Sequence, residues 1–203
     1  NLGTATNIAA FHADPRFSGV NGRGYSVVVI DTGIDLNHPY FGADSNNDGV
    51  AARIVFDYDF VRTNDSDASD DHGHGTHVAG IIGSSNSNYP GIAPEVNIIA
   101  LKVLSASGSG DNYDIKEAVN WVVANASTYN IVSVNLSLGS NEFDTSPNIG
   151  YLNSQFKALA NSGVVVVSAS GNGYIERQSQ GVSYPSSDPY SLSVGAVWAE
   201  PGY

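Results

Sequence analysis

Three short stretches of this 203-residue chain carry residue types that move protons or stabilise charge. Asp31 closes the apolar run Ser26-Val27-Val28-Val29-Ile30 and opens Thr32-Gly33-Ile34-Asp35. A carboxylate there can orient a protonated base, although Asp near Gly is also ordinary turn chemistry. The second stretch, Asp71-His72-Gly73-His74-Gly75-Thr76-His77-Val78-Ala79-Gly80, sets a glycine-flanked histidine at the head of a small-residue segment able to pack closely as a helix. Imidazole suits general acid–base work near neutral pH. Three histidines within six residues also read as a metal site, since imidazoles at i and i+3 share a helical face, but no Cys or nearby Glu completes a familiar zinc spacing. The third stretch is Val167-Ser168-Ala169-Ser170-Gly171-Asn172-Gly173, where Asn172 offers an amide donor to a developing oxyanion. Val134-Asn135-Leu136-Ser137-Leu138-Gly139 ends in the same glycine-tipped way. Each end alone reads as a tight turn; together they would let an extended ligand approach the main chain.

The elements that must position these groups are short β-branched runs: Val27 to Ile30, Ile98 to Leu104, Ile131 to Leu136, Val164 to Val167 and Leu192 to Val197. Such runs are the signature of strands buried on both faces. Between the second and third, Ile115, Val119, Val122, Val123 and Ala126 recur at helical spacing across Tyr113 to Ser127, behind an Asp111-Asn112 start signal. A second helix is expected over Ile149 to Asn161, with Leu152, Phe156, Leu159 and Ala160 on one face and Gly163 as its stop. Strand and helix alternate, which predicts an α/β, doubly wound, mainly parallel sheet with helices on both faces and functional residues outside the carboxyl ends of the strands. One domain over residues 1–203 is expected, with Gly42 to Asp71 as a long acidic excursion that includes a short strand at Arg53 to Phe56.

Composition narrows the function. With 8 basic against 20 acidic residues the net charge is −12, which argues against nucleic acid or an anionic membrane as partner. No apolar run approaches the roughly 18 residues of a membrane span. The absence of cysteine excludes disulfides, zinc–thiolate sites and a thiol nucleophile. A nucleotide-binding reading fails because Asp31-Thr32-Gly33-Ile34-Asp35 follows the first strand where a glycine-rich phosphate loop belongs. The chain opens at Asn1 with neither methionine nor leader, and few residues are charged, so a processed, secreted product is expected.

Val29-Ile30-Asp31-Thr32-Gly33-Ile34-Asp35, His74-Gly75-Thr76-His77-Val78-Ala79-Gly80, Asn135-Leu136-Ser137-Leu138-Gly139 and Ala169-Ser170-Gly171-Asn172, in that order, resemble the subtilisin-like serine peptidases from Val27 to Val197. The resemblance implies a subtilisin-like fold, incomplete at its C-terminus, and a serine endopeptidase acting on polypeptides through an Asp-His-Ser triad in the subtilisin order. Asp31 would orient His74, His74 would be the general base, His77 would be structural, and Asn172 would bind the oxyanion. Gly108, Ser109 and Gly110 would form an edge strand pairing with substrate. Ser137, Leu138 and Gly139 with Ala169, Ser170 and Gly171 would line the pocket for the side chain before the scissile bond, the glycines leaving room for a large apolar residue.

The family's nucleophile lies in a Gly-Thr-Ser-x-Ala-x-Pro segment, and no such segment occurs before Tyr203. Ser183 directly precedes Tyr184-Pro185, and Ser186 and Ser187 lie between Pro185 and Pro189, prolines that argue against the required helix start. The serine is therefore expected from a C-terminal segment or second chain, without which the piece is nearly inert. The alternative is an inactive calcium-binding or interaction module.

Asp44-Ser45-Asn46-Asn47-Asp48-Gly49 matches the first half of a calcium loop, with Asp44, Asn46 and Asp48 as oxygen ligands, but Val55 holds the position of the closing glutamate. Asp57-Tyr58-Asp59-Phe60 with Asn64-Asp65-Ser66-Asp67 resembles a calcium loop of thermostable relatives, which points to Asp59, Asp65 and Asp67. Eight of the twenty acidic residues fall between Asp44 and Asp71, faced by Arg53 and Arg62, and this crowding leads us to expect structural Ca²⁺.

Overall fold

The computed structural model describes residues 7–61, 65, 67–140, 143–174 and 178–196. A short helix α1 (Ile8–Ala13) precedes β1 (Ser26–Asp31), a 3₁₀ turn (Pro39–Phe41) and β2 (Ile54–Asp59). Then follow α2 (His74–Gly83), β3 (Asn97–Lys102), α3 (Asn112–Asn125), β4 (Ile131–Leu136), α4 (Asn153–Asn161), β5 (Val165–Ala169) and β6 (Ser191–Val194). The strands form one sheet in the order β2-β3-β1-β4-β5-β6, with every pairing parallel. This is the doubly wound, parallel arrangement that the apolar runs predict.

Alternation sorts each strand onto two faces. Val28 and Ile30 of β1, with Ile99 and Leu101 of β3, join the larger core, where Ile115, Val119 and Val122 of α3 and Phe156 and Leu159 of α4 pack. Val29 of β1 and Ile98 and Ala100 of β3 face the smaller core, with Ala79 of α2, Phe41 and Ile54. Asp31 and Lys102 continue this second set by period two, so each strand delivers a charged group on the α2 side as it leaves the sheet.

Element ends follow local chemistry. The Asp111 side chain accepts from Tyr113 N at 2.7 Å and caps α3, as the start signal predicts. Gly163, at φ 79°, ends the turn after α4. That helix begins at Asn153 rather than at Ile149, because Gly150 lies flat against the Tyr184 ring, where a Cβ would stand 2.3 Å from the ring edge, and Leu152 N donates to the Tyr184 hydroxyl at 2.7 Å. β3 stops at Lys102, two residues short of the expected Leu104, because Val103 N and Leu104 N turn to the carbonyl of Asp31. The expected short strand at Arg53 to Phe56 lengthens to Asp59 as the sheet edge beside β3. The last strand runs from Ser191 to Val194, and Val197 lies outside the described residues.

Residues 183–188 are all buried, an irregular plug between the ends of β4 and β5. Tyr184→Phe deletes the acceptor of the buried Leu152 N–H, and the expected loss is about 1–3 kcal/mol of unfolding free energy. It should be read as a lower denaturant midpoint at unchanged slope.

Candidate active site

The carboxyl ends of β1, β3 and β4 open onto a cleft of about 980 Å³, lined by Thr32 after β1, Leu104 and residues 107–110 after β3, residues 137–140 after β4, and by His72 and His74. Neighbours of β1 on either side are reached by crossovers in opposite directions, and loops diverge at such a point.

Asp31 is fully buried. Its Oδ1 accepts from Thr32 N at 2.8 Å and from the Nδ1 of His74 at 2.7 Å, and its carbonyl accepts from Val103 N and Leu104 N at 2.9 and 3.1 Å. Its Oδ2 is buried and has no hydrogen-bond partner among the described residues. A carboxylate in this setting accepts only, so the proton on the imidazole belongs to Nδ1. The opposite ring nitrogen faces away from Asp31, and the ring, 42% exposed, lines the cleft.

Close packing makes the contact possible. Gly75 leaves room for α2 against β1: a Cβ there would stand 2.1 Å from the Gly33 carbonyl and 3.1 Å from Asp31 Cβ. Gly33, at φ 100°, is equally constrained, with the Ala68 carbonyl 2.3 Å from its missing Cβ.

Asp70 organises the turn ahead of His74. Its Oδ1 accepts from His72 N, Gly73 N and the Thr32 hydroxyl at 3.0, 2.8 and 2.9 Å; its Oδ2 accepts from Thr76 N and the Thr76 hydroxyl at 2.9 and 2.5 Å. Thr32 Oγ1 in turn accepts from Gly75 N at 2.9 Å. Burial alone would push the Asp70 carboxyl up. The hydroxyl of Thr76 and the N–H groups of Gly73, Thr76 and His72 outweigh it and hold the pKa at about 2. Sequence reasoning missed this residue, although a carboxylate just ahead of a helix start is a recognised signal. Lys102 was equally legible as a lysine inside an apolar run that must find an anion.

The remaining predicted positions divide. Asn172 lies exposed on the rim of a second hollow of about 320 Å³, bounded also by residues 137–140, Phe143, Ala169, Gly171 and Ser183. Ser137, Leu138 and Gly139 border both hollows. Ser170 borders neither: its N donates to the Val194 carbonyl and its own carbonyl accepts from Ser183 N, both at 2.9 Å. Gly139 and Gly171 do not widen the wall as expected. The space of their missing Cβ atoms is filled by Ser183, 3.0 Å from Gly139 to the Ser183 Cβ and 2.4 Å from Gly171 to its Oγ. Gly108, Ser109 and Gly110 form no strand; they finish a hairpin in which Ser105 N donates to the Ser109 carbonyl at 2.9 Å and Leu104 bridges Gly110.

The histidine trio does not converge. The His72 and His74 rings are 6.3 Å apart, and His77 is exposed farther along α2. In the acidic excursion each predicted carboxylate closes a local turn: Asp44 accepts from Asp48 N and Gly49 N, Asp48 from Val50 N, Asp59 from Val61 N, Asp65 from Asp67 N and Asp67 from Ser69 N. Asn46 turns its Nδ2 to Asp48 at 2.7 Å. Arg62, Asn64 and Ser66 lie outside the described residues. Among the described residues no three acidic or histidine side chains stand as a ready metal cage. The neighbourhood is nonetheless crowded: burial first, then Asp67, Asp48 and Asp65, push the Asp57 carboxyl up, against one hydrogen bond from Ala68 N.

The chain belongs to the subtilase family, which it matches over residues 22–201. It is 41% identical over 152 residues to the alkaline serine exoprotease A of Vibrio alginolyticus, an alignment covering 75% of this chain and 24% of that protein. It is 35% identical to a cuticle-degrading serine protease of Arthrobotrys oligospora, covering 87% and 38%, and 34% identical to subtilisin E of Bacillus subtilis, covering 88% and 42%. The crystal structure of a cold-adapted subtilisin-like serine proteinase superposes with a TM-score of 0.65 at 36% identity, covering 85% of this chain and 55% of that one. The chain thus spans about a quarter to somewhat over half of the length of these proteins.

Because the Asp70 carboxyl is held below its unfolded value of about 3.9, the stability it contributes is complete above pH ~4 and is lost as pH falls toward 2. Asp70→Asn should remove that share, flattening the pH dependence of unfolding between pH 4 and 2 by on the order of 1 kcal/mol after screening at a partly exposed site.

Proposed function

We propose that this chain supplies the general base, its orienting carboxylate and the oxyanion donor of a secreted serine endopeptidase, with the nucleophilic serine arriving from a segment outside these 203 residues. The observation that carries this reading is the 2.7 Å contact of Asp31 Oδ1 with His74 Nδ1, which leaves the other ring nitrogen for the cleft. With Nδ1 protonated, the opposite nitrogen takes the proton of a serine hydroxyl as that oxygen attacks the scissile carbonyl. The imidazolium so formed lies against a buried carboxylate, and it returns the proton to the leaving amine. Asn172, on the rim of the adjoining hollow, would offer its side-chain amide to the oxyanion. Backbone flanking the cleft, at residues 108–110 and 137–139, would pair with an extended substrate.

Three features favour an external serine over an inactive module. The Gly-Thr-Ser-x-Ala-x-Pro pattern is absent from the chain, whereas Asp31, His74 and Asn172 are all retained. Ser186 and Ser187 are engaged elsewhere, with Ser193 Oγ and Asp144 Oδ2, both at 2.6 Å. Val165, Leu192 and Val194 leave about half their surface exposed along β5 and β6, apolar area that a further segment would cover. Secretion is supported by the exoprotease among the relatives; among the described residues no helix is long and apolar enough to cross a membrane.

In the full-length protein, His74→Ala should lower kcat for peptide hydrolysis by roughly 10⁴–10⁶. Asn172→Ala should cost the 10²–10³ that a subtilisin loses with one oxyanion donor, with KM little changed. Hydrolysis persisting after His74→Ala would overturn the assignment.

We further propose structural Ca²⁺ at the acidic excursion, supported by the repulsion centred on Asp57 and by oxygen donors at Asp44, Asn46, Asp48, Asp59, Asp65 and Asp67. Binding would require these side chains to exchange backbone N–H partners for the ion. Chelation should lower the melting temperature of the full-length protein by several degrees, restored by Ca²⁺ and not by Mg²⁺. An unchanged melting temperature rules the ion out.

A further inference from the structure

Lys102 ends β3 at 5% exposure, on the sheet face that bears Asp31 and α2. Its ammonium donates to the Thr32 carbonyl at 2.6 Å and to Asp71 Oδ1 at 2.7 Å. Burying an ammonium is unfavourable unless its hydrogens are all well used, and an apolar side chain of equal length would fill the same space without that penalty. What distinguishes Lys102 is the pair of acceptors it joins. Thr32 follows the catalytic carboxylate directly, and Asp71 sits in the turn that delivers His74. We propose that Lys102 and Asp71 are a positioning pair that locks the leading turn of α2 to the end of β1, holding the His74 ring on Asp31 and balancing charge beside it. The inference rests on the peptidase reading above.

The geometry explains why such a lock is useful. Asp31 and His74 are 43 residues apart and meet through one hydrogen bond. Asp70 braces the turn from within, but Asp71, His72 and Gly73 are exposed, and Gly73 has a φ of 97°. Lys102 ties that outer part to the sheet. Among the described residues, Asp31 of β1, Asp70, Asp71 and His72 of the turn, and Lys102 of β3 are the charged or titratable groups tied to His74 or to its turn. Lys102 itself is faced by Asp71, by Asp59 in register on β2 and, more distantly, by Asp67. Removing one member of the pair therefore leaves a net charge next to the imidazole, of opposite sign in the two cases.

The test compares Lys102→Met, Asp71→Asn and the double variant in the full-length enzyme. Asp71 is a mild site, its side chain 55% exposed, so that variant folds even where Lys102→Met does not. Each single change should lower kcat per titrated active site about tenfold while KM moves less than twofold, the loss expected of a misplaced base. The acid limb of the kcat/KM profile should rise by about 0.3–0.5 pH unit in Lys102→Met, fall by a similar amount in Asp71→Asn, and return in the double variant, all shrinking in 1 M salt. The low-field proton resonance of His74 Nδ1 should exchange faster in both single variants. That signal reports the pairing whether or not peptides are cleaved, so its change in a protein without peptidase activity would sink the peptidase reading alone. An unchanged resonance, or acid limbs that move together or not at all, overturns the pair.

Discussion

The structure is organised around a carboxylate that water cannot reach. Leaving Asp31 charged at full burial is expensive by several kcal/mol, and only well-aimed donors offset it. Thr32 N and His74 Nδ1 supply two donors to one oxygen, and the carbonyl of the same residue is held by Val103 N and Leu104 N. To bring His74 within 2.7 Å, the first turn of α2 must press on the end of β1, and that approach is the reason Gly33 and Gly75 carry no side chain. The same approach gives Asp70 its role. The helix start needs acceptors for its free N–H groups, and the carboxylate that provides them also binds Thr32, so one residue caps α2 and anchors it to β1.

Parallel strands alternating with helices were legible because buried strands are near-continuous β-branched runs and α3 repeats its apolar residues at helical spacing. The contact of Asp31 with His74 was legible as an aspartate at a strand end and a histidine at a helix start. Whatever depends on a partner distant in sequence was hidden. Nothing in Ile149–Leu152 announces the Tyr184 ring that displaces the first turn of α4. Nothing near Gly139 or Gly171 announces Ser183, so glycines read as open space prove to be filled. The lock on Lys102 is hidden in the same way, since Asp71 lies 31 residues upstream.

Two carboxylates thirteen residues apart show what the acidic excursion does. Asp70 has five donors and sits near pH 2; Asp57, half-buried at the sheet edge with one donor and anionic neighbours, moves the opposite way. Equal composition, opposite shift: donor count decides. The excursion thus splits into a part that braces the turn before α2, from Asp70 onward, and a part around Asp57 where burial, and then anionic neighbours, push a carboxyl up.

β2 pairs with β3 from Ile54 to Asp59, so the acidic lobe is hydrogen-bonded to the strand whose last residue is Lys102. Asp59 stands opposite Lys102, and Phe60 N donates to the Lys102 carbonyl at 2.9 Å. A change of charge at Asp57, opposite Ala100, is therefore two register positions from the cation tied to Thr32 and Asp71. β3 thus stands between β1, which carries Asp31, and β2, which carries the acidic lobe, and pairs with both.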